Sequence, residues 1–177
     1  LLTCAVSCLA INAQDKKLPI SSATASCAQN VNPAEMAIDG DQKTFWHTPY
    51  SGGASFTFPV TYTITFNETT HVDYVRYIPR QDGNSNGNWN VVYVSYCPTT
   101  NGTNFTNLGQ YTLNGASLTY DFMFADAGLE CGQIMFTIES GSGRHVTAAE
   151  IEAYAIDNSR QEVFAKYFTD NLFTELK

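Results

Sequence analysis

Apolar and polar side chains alternate with a period of two in short runs between about residue 18 and residue 157. Residues 55–58 (SFTF), 61–66 (TYTITF), 72–78 (VDYVRYI) and 90–96 (NVVYVSY) follow this pattern. So do residues 117–122 (SLTYDF), 134–138 (IMFTI) and 149–154 (AEIEAY). Successive side chains of an extended chain point to opposite faces, so each run gains one face for a core and one for water. β-branched and aromatic residues fill the runs, and Gly, Asn and Pro separate them. The pattern predicts an all-β protein built as an antiparallel β-sandwich. Pro59 has no N–H to donate to a ladder, so it should divide the first two runs.

The period changes near the C-terminus. Val163, Phe164, Tyr167, Phe168, Leu172, Phe173 and Leu176 follow helical spacing, with Asn158 or Ser159 as a cap. This predicts a helical tail over residues 158–177. An apolar helical face needs a partner surface. The tail either folds back on the sandwich or is a linker or start of a further domain, and the second reading is preferred. At the other end, residues 1–13 (LLTCAVSCLAINA) carry no charge and end in small residues ahead of Asp15, Lys16 and Lys17. They read as the remnant of a secretory signal peptide. A buried N-terminal strand and a lipoprotein leader on Cys4 or Cys8 are the alternatives. The expected mature domain is residues 14–157, exported to a secreted, cell-surface or periplasmic location. The ending of the leader, Asn12-Ala13 before Gln14, points to a bacterial source.

Composition narrows the class. Of 177 residues, 15% are charged and 13% aromatic, which excludes a disordered chain and argues against a long helical bundle. The net charge of −8 repels nucleic acid and anionic membranes alike. No apolar run reaches the roughly 20 residues that a bilayer requires, so no membrane insertion is expected. Removal of the leader takes Cys4 and Cys8 and leaves Cys27, Cys97 and Cys131. At most one disulfide then forms, and Cys97 with Cys131 is the expected pair. No CxxC and no zinc-like His/Cys spacing occurs.

The stretch AIDGDQKTFWHTPY (residues 37–50) carries the most chemistry. Asp39, Asp41 and Thr44 place three side-chain oxygens on a short loop, and Gly40 permits a tight turn between the carboxylates. Hard oxygen ligands so spaced suit calcium, although the spacing is not that of an EF-hand. An Asp-Gly turn with a cap explains the same residues without a metal.

This run, followed by YIPRQDGNSNGNW (residues 77–89) and AAEIEAY (residues 148–154), resembles a discoidin domain, the coagulation factor 5/8 type C fold. Within that fold the sequence most resembles carbohydrate-binding module family 32, over about residues 18–156. The resemblance implies an eight-stranded, jelly-roll-like, galactose-binding-domain-like sandwich with rim loops that bind ligand. It implies a structural Ca2+ held by the Met36 carbonyl, the Asp39, Asp41 and Thr44 side chains, the Ala149 carbonyl and the Glu150 carboxylate. It also implies a sugar site made of His47, Arg80, Asn86 and Tyr50, the last standing where the family often has Trp. A Glu common upstream in the family is here Gln29 or Asn30. An imidazole and a guanidinium suit an axial hydroxyl, an amide both donates and accepts, and an aromatic face packs on the C–H patch of a sugar. Trp46 reads as core. His145, on the Gly/Ser loop at residues 140–145, is a minor candidate for ligand contact, and His71 reads as structural.

Two other function classes compete. An enzyme is disfavoured, because HExxH, GxSxG and Walker motifs are absent. A discoidin domain for protein or membrane adhesion would want apolar spikes and basic residues on its rim. The loop at residues 81–90 offers Asp, Gly, Ser, Asn and one Trp instead. The reading is therefore a non-catalytic module that binds a galacto-configured sugar, galactose or N-acetylgalactosamine. Its expected role is to target a larger secreted or surface enzyme, a glycoside hydrolase among others, with a tethered catalytic domain.

Overall fold

The computed structural model describes residues 15–52, 55–124 and 128–157. The signal peptide expected at residues 1–13 and the helical tail expected at residues 158–177 lie outside them. The body described below is Lys17–Ala155.

Eleven strands occur among the described residues: β1 (Lys16–Leu18), β2 (Ser22–Ala25), β3 (Trp46–His47), β4 (Val60–Val72), β5 (Tyr74–Ile78) and β6 (Trp89–Cys97), then β7 (Thr106–Thr112), β8 (Tyr120–Met123), β9 (Leu129–Gly141), β10 (Thr147–Ala148) and β11 (Glu150–Ala155). They form a five-stranded sheet in the order β2-β4-β9-β6-β7, a four-stranded sheet in the order β1-β11-β5-β8 and a small β10-β3 pair. The eight strands implied by the resemblance are thus joined by short additional ones. Tyr62, Ile64, Val92, Val94, Ile134, Phe136 and Ile138 of the larger sheet are fully buried. They belong to the same core as Val75, Tyr77, Phe122, Ile151 and Ala153 of the smaller sheet. Alternation decides which residues these are. On β11 the core takes Ile151 and Ala153, while Glu152 and Tyr154 extend the other way, where Glu152 holds Lys17 at 2.5 Å.

Several expectations are corrected. Residues 55–58 alternate but belong to no strand; Phe56 and Phe58 pack ring edge on ring at 5.5 Å instead. Pro59 is followed at once by β4, which runs on through Val72. Trp89, counted above with the rim loop, is fully buried, stacked on Tyr77 at 4.2 Å and tilted against Phe136 at 5.3 Å. Cys27, Cys97 and Cys131 are all free thiols. Cys97 lies opposite Gln133, which makes Cys131 its diagonal neighbour. Diagonal positions are about 7–8 Å apart, beyond ordinary disulfide reach. Trp46 is core, as expected, with no exposure and a tilted contact to Tyr62 at 4.8 Å.

Candidate functional site

β3 is only two residues long, and its alternation does the positioning. Trp46 goes into the core and donates its Nε1–H to the Cys27 carbonyl at 3.1 Å. His47 is then turned to the rim. Its backbone is held on both sides: it is paired with Thr147 of β10, its N–H donates to the Asn32 carbonyl, and its carbonyl accepts the Gln29 N–H. The Nδ1 of His47 lies 2.5 Å from the Thr48 carbonyl. A carbonyl only accepts, so Nδ1 carries the proton and Nε2 keeps its lone pair for an incoming donor. Burial lowers the pKa of His47, and the positive charge of Arg80 and the neighbouring His145 act the same way.

Arg80 follows β5 by two residues. Its guanidinium sits 4.4 Å above the Phe45 ring centre and is forked onto Asp82, with Nε donating at 2.8 Å and Nη2 to the second oxygen. The Arg80 bond holds the Asp82 carboxyl below the ordinary carboxylate range. Nη1 is the guanidinium nitrogen that neither bond to Asp82 uses. Asp82 and the asparagines beyond it form a relay of side-chain turns. Asp82 Oδ1 accepts the Asn84 N–H at 3.1 Å, and Asn84 Oδ1 accepts the Asn86 N–H at 2.9 Å. Short polar side chains that bond to the backbone two residues on make such a loop without regular structure. The loop is pinned across the rim, where the Gly87 N–H donates to the Ser142 carbonyl and the Thr147 N–H donates to the Gly87 carbonyl. Gly143, at φ 62°, lies close against this loop: a Cβ there would stand 2.5 Å from Asn86 Oδ1.

These elements enclose a cleft of about 350 Å³ lined by Phe45, His47, Tyr50, Arg80, Asn84, Asn86 and His145. That is small-ligand size, given the roughly 300–1,000 Å³ usual for such sites. His47, Arg80, Asn86 and Tyr50, picked from the sequence, all line it. The Tyr50 ring meets the His47 ring edge-on at 4.7 Å and stays half exposed, with its hydroxyl donating to Asn32 Oδ1 at 3.2 Å. Phe45 and Asn84 join them without a sequence motif to mark them, and His145, a minor candidate from sequence, lines the cleft as well. His145 lies 5.1 Å from the His47 ring, and its Nδ1 is buried with no hydrogen-bond partner among the described residues. His71 is away from the cleft, bonded to Glu130 at 3.0 Å and Asp73 at 3.2 Å.

The acidic loop forms a second convergence. A 3-10 turn (Ala34–Ala37) leads into Gly40 at φ 83°. Thr44 Oγ1 is 2.7 Å from Asp39 Oδ2, 2.8 Å from the Asp41 carbonyl and 3.5 Å from the Met36 carbonyl. The Asp41 carboxylate accepts the Lys43 N–H at 3.0 Å, while the Asp41 carbonyl is the oxygen it offers to Thr44. Across the sandwich, Glu150 Oε1 accepts the Gly40 N–H at 2.9 Å and ties the loop to β11. Burial, with the Asp39 carboxyl beside it, pushes Glu150 up to about 7. Among the described residues no three His, Cys, Asp or Glu side chains cluster as a metal site, so any cation here would be held by two carboxylates and neutral oxygens.

A two-layer antiparallel sandwich with an acidic loop tied to its last strand, and a basic, aromatic and amide-lined cleft at one rim, defines a class of ligand-binding β-sandwich. The chain belongs to the F5/8 type C domain family, whose profile matches residues 21–157. It is similar to the family 32 CBM of C. perfringens NanJ solved in complex with galactose, with a TM-score of 0.70 and 25% identity over 80% of this chain and 100% of that one. A Clostridium perfringens CBM32 domain in complex with GalNAc-β-1,3-galactose has the same fold, with a TM-score of 0.70 at 24% identity over 79% of this chain and 100% of that one. A galactose oxidase of Gibberella zeae is 45% identical over 64 residues, which cover 36% of this chain and 9% of that enzyme. The match thus touches a small part of that enzyme's length.

Proposed function

We propose that this domain binds a galacto-configured sugar, galactose or N-acetylgalactosamine, in the cleft of His47, Arg80, Asn86 and Tyr50. The observation that carries the reading is the pairing of opposite hydrogen-bond roles: His47 Nε2 accepts while Arg80 Nη1 donates, in one cleft. A single hydroxyl satisfies both, since it donates its own proton and accepts with its oxygen. An axial hydroxyl stands clear of the ring plane and reaches such a pair, while the apolar underside of the sugar packs on an aromatic ring. The ligands seen in the similar C. perfringens modules support the same sugar class. The domain acts as a non-catalytic targeting module of a larger exported protein, where tethering compensates for weak binding. A monosaccharide of about 12 atoms at about 0.3 kcal/mol each gives a Kd on the order of 1 mM.

The same reading includes a structural Ca2+ at the acidic loop. Asp39 and Glu150 face each other with Thr44, Met36 and Asp41 oxygens nearby, and hard oxygen donors without thiol or imidazole suit Ca2+. The cation would neutralise the Asp39–Glu150 pair and clamp the loop that leads to His47 onto the last strand.

Calorimetric titration of the folded domain with galactose, N-acetylgalactosamine and glucose tests the sugar site. Binding of the first two and not the third is expected. Equal glucose binding rejects the axial-hydroxyl argument, and no binding of any sugar leaves the adhesion reading.

A further inference from the structure

The rim holds a second cleft that the sugar site does not use. It encloses about 490 Å³ and is lined by Pro49, Tyr50, Ser55, Phe56, Thr57, Phe58, Arg144 and His145. Tyr50 and His145 line both clefts, so the two are continuous around those side chains. Aromatic rings run from one to the other: His47 to His145 at 5.1 Å, His145 to Phe56 at 6.2 Å, and Phe56 to Phe58 at 5.5 Å. A ligand longer than one sugar has a packed wall to follow.

Charge tells what the second cleft takes. The chain carries a net charge of −8, yet no Asp or Glu lines this cleft, and its one cationic side chain is Arg144. Arg76 and Arg80 are each forked onto an aspartate, Asp121 and Asp82. Among the described residues Arg144 has no such carboxylate. It is exposed, and it holds φ at 61°, a left-handed conformation that an L side chain rarely adopts. A guanidinium with no carboxylate among the described residues, in a cleft also lined by aromatic rings, is a donor fork for an oxyanion.

We propose that the second cleft is a subsite for an anionic sugar linked to the galacto residue, with Arg144 binding a carboxylate or sulfate ester. This rests on the galacto-sugar reading of the first cleft and extends it from a monosaccharide to an acidic galactoside.

The test compares lactose with three acidic relatives: galactosyl-glucuronic acid, lactose sulfated on its glucose, and sialyl-lactose. The first two separate carboxylate from sulfate, and the third places the acid on the other side of galactose. At low salt at least one acidic probe binds about fivefold tighter than lactose, as one charge-assisted contact supplies. The gain shrinks at about 0.5 M salt, where exposed charges are screened. Arg144→Gln removes the gain and leaves lactose binding unchanged. Arg144→Gly, which the left-handed backbone accommodates, does the same and guards against misfolding. Acidic probes that bind no tighter than lactose, or a gain that survives Arg144→Gln, overturn the proposal. Failure of the galacto reading looks different: lactose does not bind at all. Arg144-dependent binding of free glucuronate in that case keeps the anion subsite and discards the galactose cleft, and its absence discards both.

Discussion

His47 and Thr48, neighbours in sequence, are joined by a 2.5 Å contact from the imidazole Nδ1 to the Thr48 carbonyl. That contact sets the tautomer of the ring and therefore what the rim cleft offers a ligand. It makes Nε2 an acceptor as long as His47 stays neutral, and burial keeps it neutral to a lower pH than a free imidazole.

Sugar affinity should accordingly be level from about pH 8 to about pH 6.5 and fall as His47 protonates below that, because the charged ring can only donate. Calorimetric titrations across this range check it. The sign for stability is the same. The unfolded imidazole titrates at about 6.5 and the folded one lower, so the His47 contribution is whole above about 6.5 and is lost as pH falls through the folded value. His71 acts oppositely. Its bond to Glu130 raises its pKa, so its contribution is present below about 6.5 and lost as pH rises through the folded value. His71→Gln separates the two in pH-dependent melting.

Arg80→Ala should abolish most sugar binding, at least about tenfold, since ligand oxygens and Asp82 both lose their partner. Arg80→Lys should rescue little, because an ammonium cannot span Asp82 and a sugar while lying flat on Phe45. A lysine variant that binds like the parent would show that charge alone suffices. Tyr50→Ala should cost about 1 kcal/mol, the worth of ring packing on a sugar face.

Gly143→Ala should weaken sugar binding without unfolding the domain. The added Cβ would stand 2.5 Å from Asn86 Oδ1 at a φ of 62°, so the Asn86 side chain must turn out of its present position in the cleft. A melting temperature close to the parent with reduced galactose affinity is the expected pair of measurements.

Removal of divalent metal by a chelator should lower the melting temperature, since a ligand bound only by the folded state stabilises it. Asp39→Ala should melt like the chelated parent and be insensitive to added Ca2+. An unchanged melting curve in excess chelator argues against the cation.

The strands were legible where one face is buried and one is wet. The runs at 61–66, 90–96 and 134–138 fall in β4, β6 and β9, and the run at 149–154 falls in β11 but for its first residue, because alternation is a local consequence of extended backbone. β7 escaped notice because it is an edge strand with no buried residue, and its sequence TNLGQYT carries no alternating apolar face. Residues 55–58 deceived for the opposite reason. Their aromatic alternation lines a rim cleft and makes no ladder.

What the sequence determined by itself is therefore the period of each segment, the turn residues between them, and a set of chemically able side chains whose motifs stand in a recognisable order. Tertiary structure alone decided which of those side chains meet. Gly40 and Glu150 join across 110 positions, Thr147 pairs with His47, and Arg144 reaches the rim with no acidic partner among the described residues. It also sent Trp89 inward and left Cys97 opposite Gln133. Local pattern reports only which face of a strand is apolar. Register and the order of strands in a sheet follow from packing the whole core at once, and from those the clefts arise.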